Sequence, residues 1–113
     1  PERKLVIAGH SLGGATATCI ADLLWESGNQ NVALVTAGSP RPGGRRLRRR
    51  LKDLEHLRFV HGDDIVPGTP PWLAGYVHTH PVIKLEDEKD TRFDGVADHN
   101  IGDYYEAALK YYK

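Results

Sequence analysis

A serine with a glycine two positions to either side is the first feature with chemical meaning. Gly9-His10-Ser11-Leu12-Gly13 follows the apolar run Leu5-Val6-Ile7-Ala8 and precedes a stretch of good helix formers. A G-x-S-x-G pattern between a strand and a helix describes a tight turn that projects a hydroxyl for nucleophilic attack. Glycines at positions 9 and 13 are expected to meet a steric need, since the turn leaves little room for side chains there. Ser11 would stand at a helix N-terminus, where unpaired backbone N–H groups and the helix dipole favour a developing oxyanion. The N–H of Leu12 would be one such donor. The competing reading is a glycine-rich turn that cradles a phosphate. The strand before, the helix after and the extra Gly14-Ala15 favour the nucleophile.

A serine hydroxyl needs a base, and the base needs an acid to orient it. In the chain order Ser, acid, His, the acids placed after a strand-like run are Asp63 and Asp64. The base would then be His78, His80 or His99. His78 and His80 fall on one face of a β-like segment and could equally be surface histidines. His99 precedes a helical stretch, where a loop can carry it over the sheet. His61, Asp63, His78 and His80 match no zinc-ligand spacing, and a serine with a base and an acid needs neither a metal nor a cofactor, so none is expected.

The elements that must hold these groups alternate between strand and helix. Residues 5–8, 32–37 and 57–60 are apolar or β-forming runs, the first two continuous enough to suggest burial on both faces. Residues 12–26 suit a buried helix that would include Cys19 and turn Ala17, Ile20, Ala21 and Leu24 to one face, with Gly28 ending it. Leu47, Leu51 and Leu54 recur as one face of an amphipathic helix whose other face is nearly all arginine. Residues 62–71 read as a Pro/Gly loop, and residues 75–85 as an edge strand or hairpin arm broken at Pro81. Residues 86–98 read as a polar loop. Ile101 to Tyr112 closes the chain as an amphipathic helix carrying Ile101, Tyr105, Ala108, Leu109 and Tyr112. Such alternation predicts an α/β sandwich with a mostly parallel sheet.

Composition sets the outer bounds. With 113 residues and 40% hydrophobic content the chain is expected to form one domain, 1–113, with a real core. A single cysteine excludes an internal disulfide, and no apolar stretch reaches the roughly 20 residues of a membrane span. Pro1-Glu2-Arg3-Lys4 lead directly into the first strand, with no signal-peptide pattern. The balanced 15 basic and 15 acidic residues hide a split. Arg41, Arg45, Arg46, Arg48, Arg49, Arg50, Lys52 and Arg58 crowd one segment, and six acids crowd residues 86–98. The basic block is the solvated face of a helix on the simplest reading, and an anionic-lipid contact through Arg45 to Lys52 on the sharper one. No aromatic residue interleaves the arginines, so nucleic acid is not expected as a partner.

Four segments together resemble a known family. Gly9-His10-Ser11-Leu12-Gly13-Gly14-Ala15 looks like the elbow of the class 3 lipases, the fungal triacylglycerol lipase type. Ala37-Gly38-Ser39-Pro40-Arg41-Pro42-Gly43 is similar to that family's G-x-P-R-x-G segment. Asp64-Ile65-Val66-Pro67 with Pro70-Pro71 resembles its D-x-V-P-x-x-P-P block, and Asp98-His99 its terminal D-H segment. The resemblance implies an α/β-hydrolase-like three-layer sandwich, truncated or minimised, with about four mostly parallel strands and helices on both faces. It implies a triad of Ser11, His99 and Asp64, acting on carboxylic esters, typically acylglycerols, through an acyl-enzyme. His10, Pro67 and Trp72 are substrate-groove candidates in this sequence, although Trp72 and Trp25 read at least as well as packing. In the family several elements precede the elbow strand, and they carry the second oxyanion donor and the lid. This chain is therefore expected to be a C-terminal portion whose elbow strand has an unpaired edge prone to self-association. A secreted parent is what the family implies; the sequence leaves the compartment open, and it allows a second reading as a weakly active interaction module.

Overall fold

The computed structural model describes residues 3–86 and 99–111. Four strands, β1 (Leu5–His10), β2 (Val32–Ala37), β3 (Glu55–His61) and β4 (Val82–Leu85), form one sheet in the order β1-β2-β3-β4. All three pairings are parallel. The helices are α1 (Leu12–Glu26), α2 (Arg45–Arg50) and α3 (Ile101–Tyr111), and two short 3-10 turns lie at Val66–Gly68 and Trp72–Ala74.

The pleat decides which helix covers which face. Successive strand residues point to opposite sides, so Val32 and Leu34 of β2 meet Ala17 and Ala21 of α1 and Leu47, Leu51 and Leu54 of the α2 segment. Their neighbours Val35 and Ala37 face the other way, with Phe59, Ile83 and Leu85, against Tyr104, Ala107 and Ala108 of α3. Right-handed crossovers between adjacent parallel strands put α1 and α2 on one face; α3 takes the other. The result is the expected three-layer α/β arrangement. The α2 helix ends at Arg50, yet Leu51 and Leu54 still bury fully in the turn beyond it. Gly28, at φ +95°, closes α1 through its N–H to the Trp25 carbonyl.

Several expectations change. β1 is not buried on both faces: it pairs with β2 alone among the described residues, and Leu5 and Val6 are exposed. Its apolar run therefore marks an edge, not a centre. Cys19 is exposed as well, and so are Ile20 and Leu23, because α1 seats its small face of Gly14, Ala17, Thr18 and Ala21 on the sheet. The segment from Gly75 is no hairpin arm. Only Val82–Leu85 is strand, parallel to β3, preceded by an isolated bridge from Val77 to Gly43. On α3 the buried face is Tyr104, Ala107 and Ala108, whereas Ile101, Tyr105 and Leu109 are exposed. The Tyr104-Tyr105 doublet fits either stripe of the helix, so periodicity could not choose between them. Tyr112 and the polar loop from residue 87 to 98, Asp98 included, lie outside the described residues. No described helix is long and apolar enough to cross a membrane.

His78 and His80 are not surface histidines on a strand. They turn inward on the α2 face and join a polar cluster beneath residues 77–81. His78 Nε2–H donates to the Pro67 carbonyl at 2.6 Å. His56 Nδ1 meets His80 Nδ1 at 2.8 Å, a contact that holds one proton between two rings. Thr36 Oγ1 caps the other His56 nitrogen at 2.8 Å, and Arg58 Nε–H donates to the His80 carbonyl. Burial, reinforced by His80, Arg58 and His78, pushes His56 down to about 3. Burial and Arg58 push His78 down to about 4, against the raising effect of its Pro67 hydrogen bond. Burial also lowers His80; the carbonyls of Leu51 and Leu54 face its ring and partly offset this, although its Nε2 makes no well-formed hydrogen bond among the described residues.

These rings must charge when the chain unfolds in acid. With folded values depressed below the ordinary 6.5, the unfolded chain binds their protons first. Stability is therefore full above about pH 6.5 and is lost as pH falls toward 4 and then 3. For His56 alone the loss at pH 5 is roughly 2 kcal/mol. Urea midpoints at pH 7.5 and pH 5 should differ for the wild type and differ by less in His56→Gln, where His78 and His80 still titrate on unfolding. Equal midpoints in the wild type would rule out this origin of acid lability.

Candidate active site

Three parallel strands deliver three loops to one end of the sheet. Ser11 follows β1, Gly38 follows β2, and Asp64 lies three residues beyond β3. Carboxyl ends of parallel strands are where open α/β sheets gather their reactive groups. The ladder extends into the turn: Ser11 N–H donates to the Ala37 carbonyl at 3.0 Å, and Gly38 N–H to the Phe59 carbonyl at 3.0 Å.

The turn at Ser11 is strained, with φ 58° and ψ −131°; Ser11 is the one non-glycine at positive φ among the described residues. Such backbone costs on the order of 1–3 kcal/mol and persists where surrounding structure imposes it. Glycine explains how the imposition works. A Cβ on Gly9 would lie 2.1 Å from the Gly13 carbonyl oxygen, which is impossible. The steric demand expected at Gly13 is not there: a Cβ at that position meets nothing within 4 Å. It falls instead on Gly14, where a Cβ would sit 2.6 Å from Ser39 Cβ. Leu12 opens α1, so its N–H belongs to the first turn, which has no carbonyl one turn earlier to bond.

His99 Nε2 lies 2.6 Å from Ser11 Oγ, and His99 Nδ1 lies 2.8 Å from Asp64 Oδ2. An ionised carboxylate only accepts, so Nδ1 carries the proton and Nε2 presents its lone pair to the serine hydroxyl. Asp64 has a buried side chain. Its Oδ1 accepts from the Val66 N–H at 2.9 Å, and its Oδ2 also accepts from the Tyr104 hydroxyl at 2.6 Å. Residues far apart in sequence thus converge, and neither Asp63, His78 nor His80 takes part. Among the described residues no group of three or more His, Cys, Asp or Glu could hold a metal.

The groove candidates divide. His10 stacks on His99 with ring centroids 4.8 Å apart and donates from Nε2 to the His99 carbonyl at 2.8 Å. It buttresses the imidazole by packing on its ring and bonding its backbone. Pro67 is buried and supplies the carbonyl that holds His78, so it braces the loop. Trp72 is 66% exposed, which excludes a core role, and Trp25 packs partly buried on the α1 core.

Two contributors were not singled out from sequence. Gly38, at φ +60°, is the floor of the site: a Cβ there would lie 2.8 Å from Asp64 Oδ2 and 3.1 Å from His99 Nδ1. A glycine directly after a buried strand was the available signal. Tyr104 had none, since nothing in the sequence separates it from Tyr105. Tyr104→Phe should cost about 2 kcal/mol of stability, the worth of a buried hydrogen bond to a charged group. A urea titration checks it, and an unchanged midpoint would show that the hydroxyl is idle.

Comparison with known proteins identifies the family. The family model described as "Lipase (class 3)" matches residues 1–74. The chain belongs to the class 3 lipase family. Among curated relatives of this lipase family, the chain is 43% identical over 88 residues to "Secreted mono- and diacylglycerol lipase 1" of Fusarium solani, covering 76% of this chain and 26% of that protein. It is 39% identical over 84 residues to a lipase of Rhizomucor miehei, covering 69% and 23%. Among solved structures, the MDLA N225Q mutant of Penicillium cyclopium superposes with a TM-score of 0.73 at 35% identity, over 80% of this chain and 34% of that one. The fold is accordingly that of the α/β-hydrolase lipases. The chain spans about a quarter of the length of the curated relatives it matches.

Proposed function

We propose that this chain carries the hydrolytic centre of a carboxylic ester hydrolase acting on acylglycerols. The observation that supports this reading is the continuous hydrogen-bonded series Ser11 Oγ, His99 Nε2, His99 Nδ1 and Asp64 Oδ2. In the reaction, His99 Nε2 takes the Ser11 proton as Oγ bonds to the acyl carbon. The carbonyl oxygen becomes an oxyanion facing the Leu12 N–H. Collapse breaks the ester C–O bond, and His99 returns the proton to the departing glycerol oxygen. Water then repeats the sequence: His99 takes its proton, hydroxide attacks the acyl carbon, and Ser11 leaves with the proton restored. Asp64 keeps Nδ1 protonated throughout and stabilises the imidazolium. Neither a metal nor a cofactor enters any step.

The names of the relatives point to mono- and diacylglycerols as substrates and to export of the parent protein. Each missing oxyanion donor costs about 10² to 10³ in rate, and Leu12 supplies one. A second reading, a weakly active module that binds through its open sheet edge, draws on the exposed Leu5 and Val6 of β1. A p-nitrophenyl phosphonate ester separates the two. The hydrolase reading requires a covalent adduct on Ser11, located by peptide mass spectrometry, with release of one nitrophenolate per chain. A chain that stays unlabelled, or labels elsewhere, would refute it.

A further inference from the structure

The arginine block has a use that the ester chemistry does not absorb. Arg50 turns back toward α1, where Asp22 accepts from its Nε and Nη2 at 2.9 Å each and Glu26 lies close by. Among the described residues no other α2 cation pairs with those acids. Arg45, Arg48, Arg49 and Lys52 line a cleft of about 420 Å³ against residues 79–81. A second cleft of about 460 Å³ shares Arg48 and the 79–81 wall and adds Arg41. Together they form one groove with five cations along it and no acidic residue in its lining. Among the described residues none of the α2 cations in the groove has a carboxylate within ion-pair distance.

Like charges held this close repel one another and are relieved by an anion. Beneath the groove, Arg58 and His78 are lowered chiefly by burial, and Arg41 adds to both. Planar guanidinium forks suit the tetrahedral oxygens of a phosphate, which they bind through paired hydrogen bonds. The rim indicates where that phosphate comes from. The bridge of Val77 to Gly43 pins the 72–77 loop beside the start of α2, and that loop turns Trp72 and Leu73 outward, 66% and 80% exposed. Apolar side chains next to cations are the features that hold a protein on an anionic lipid surface. Nucleic acid is less well matched, because no aromatic ring lies among the arginines to stack a base.

We propose that the groove between α2 and residues 77–81 binds the phosphate of an anionic lipid headgroup, with Arg45, Arg48 and Arg49 as its principal contacts. This site is separate from Ser11 and stands whether or not the chain hydrolyses esters. The full chain should co-sediment with vesicles of phosphatidylcholine containing one third phosphatidylglycerol, and not with phosphatidylcholine alone. Binding should weaken as salt is added. Replacing Arg45, Arg48 and Arg49 together by Gln should weaken it about 100-fold. All three side chains are exposed, so the urea midpoint should hold. Arg50→Gln, outside the groove, should bind as the wild type does. Equal vesicle binding by the triple variant overturns the proposal. So does displacement by inorganic phosphate beyond that of chloride at the same ionic strength, which would make soluble phosphate the ligand. Tighter binding to a DNA duplex than to the vesicles would overturn it in favour of nucleic acid.

Discussion

Ser11→Ala, His99→Ala and the double variant should all fall to the same residual rate of p-nitrophenyl butyrate hydrolysis. In a serine–histidine pair that acts as a unit, either single loss costs about as much as both, on the order of 10⁶ in kcat where the machinery is complete. The reason lies in the 2.6 Å contact between Ser11 Oγ and His99 Nε2. Without the imidazole the hydroxyl stays protonated and is a poor nucleophile; without the hydroxyl the imidazole has nothing to activate but water. Steady-state rates of the four proteins decide the matter. Losses that multiply in the double variant would mean that the two residues act independently, and the proposed mechanism would fail.

Asp64→Asn is expected to lower kcat by about 10⁴ while leaving the fold in place. The carboxylate only accepts, and it fixes the proton on His99 Nδ1 at 2.8 Å. A carboxamide can turn its NH₂ toward the ring, which moves the imidazole proton to Nε2 and leaves no lone pair for Ser11. The ring stays in place, held by stacking on His10 and by the His10 bond to its carbonyl. Asp63→Asn is the matched control: its side chain is exposed and His99 Nδ1 bonds Asp64 instead, so activity should stay within about twofold. Comparable losses in both variants would remove Asp64 from its assigned role.

The core and the nucleophile were legible because their causes are local. A continuous apolar run, a helix-forming stretch and a glycine two residues before Ser11 each act over a few residues, and their order in the chain carries the α/β alternation. Face assignments were less secure. β1 reads as a buried strand by composition, yet whether a strand lies at an edge depends on what pairs beyond it. The α3 stripe was displaced by one residue because Tyr104 and Tyr105 are interchangeable to a periodicity argument. Tyr104 is drawn inward by an acceptor on a different element, Asp64. The inward turn of His78 and His80 likewise depends on the Pro67 carbonyl and the His56 ring, which sequence distance hides.

What the sequence alone determined was the chemistry on offer: a serine in a strand-to-helix turn, acids after β3, histidines downstream, and a block of arginines. The spacing of acids and histidines left two and three candidates open, and only motif resemblance pointed to Asp64 and His99. The tertiary structure decided which of them meet, because parallel pairing brings the carboxyl ends of β1, β2 and β3 side by side. It also moved the steric demand from Gly13 to Gly14, made Gly38 the floor of the site, and split the arginine block between an ion pair at Arg50 and an uncompensated groove. Each of these is a contact between residues far apart in the chain, and a contact of that kind exists only once the sheet has set its register.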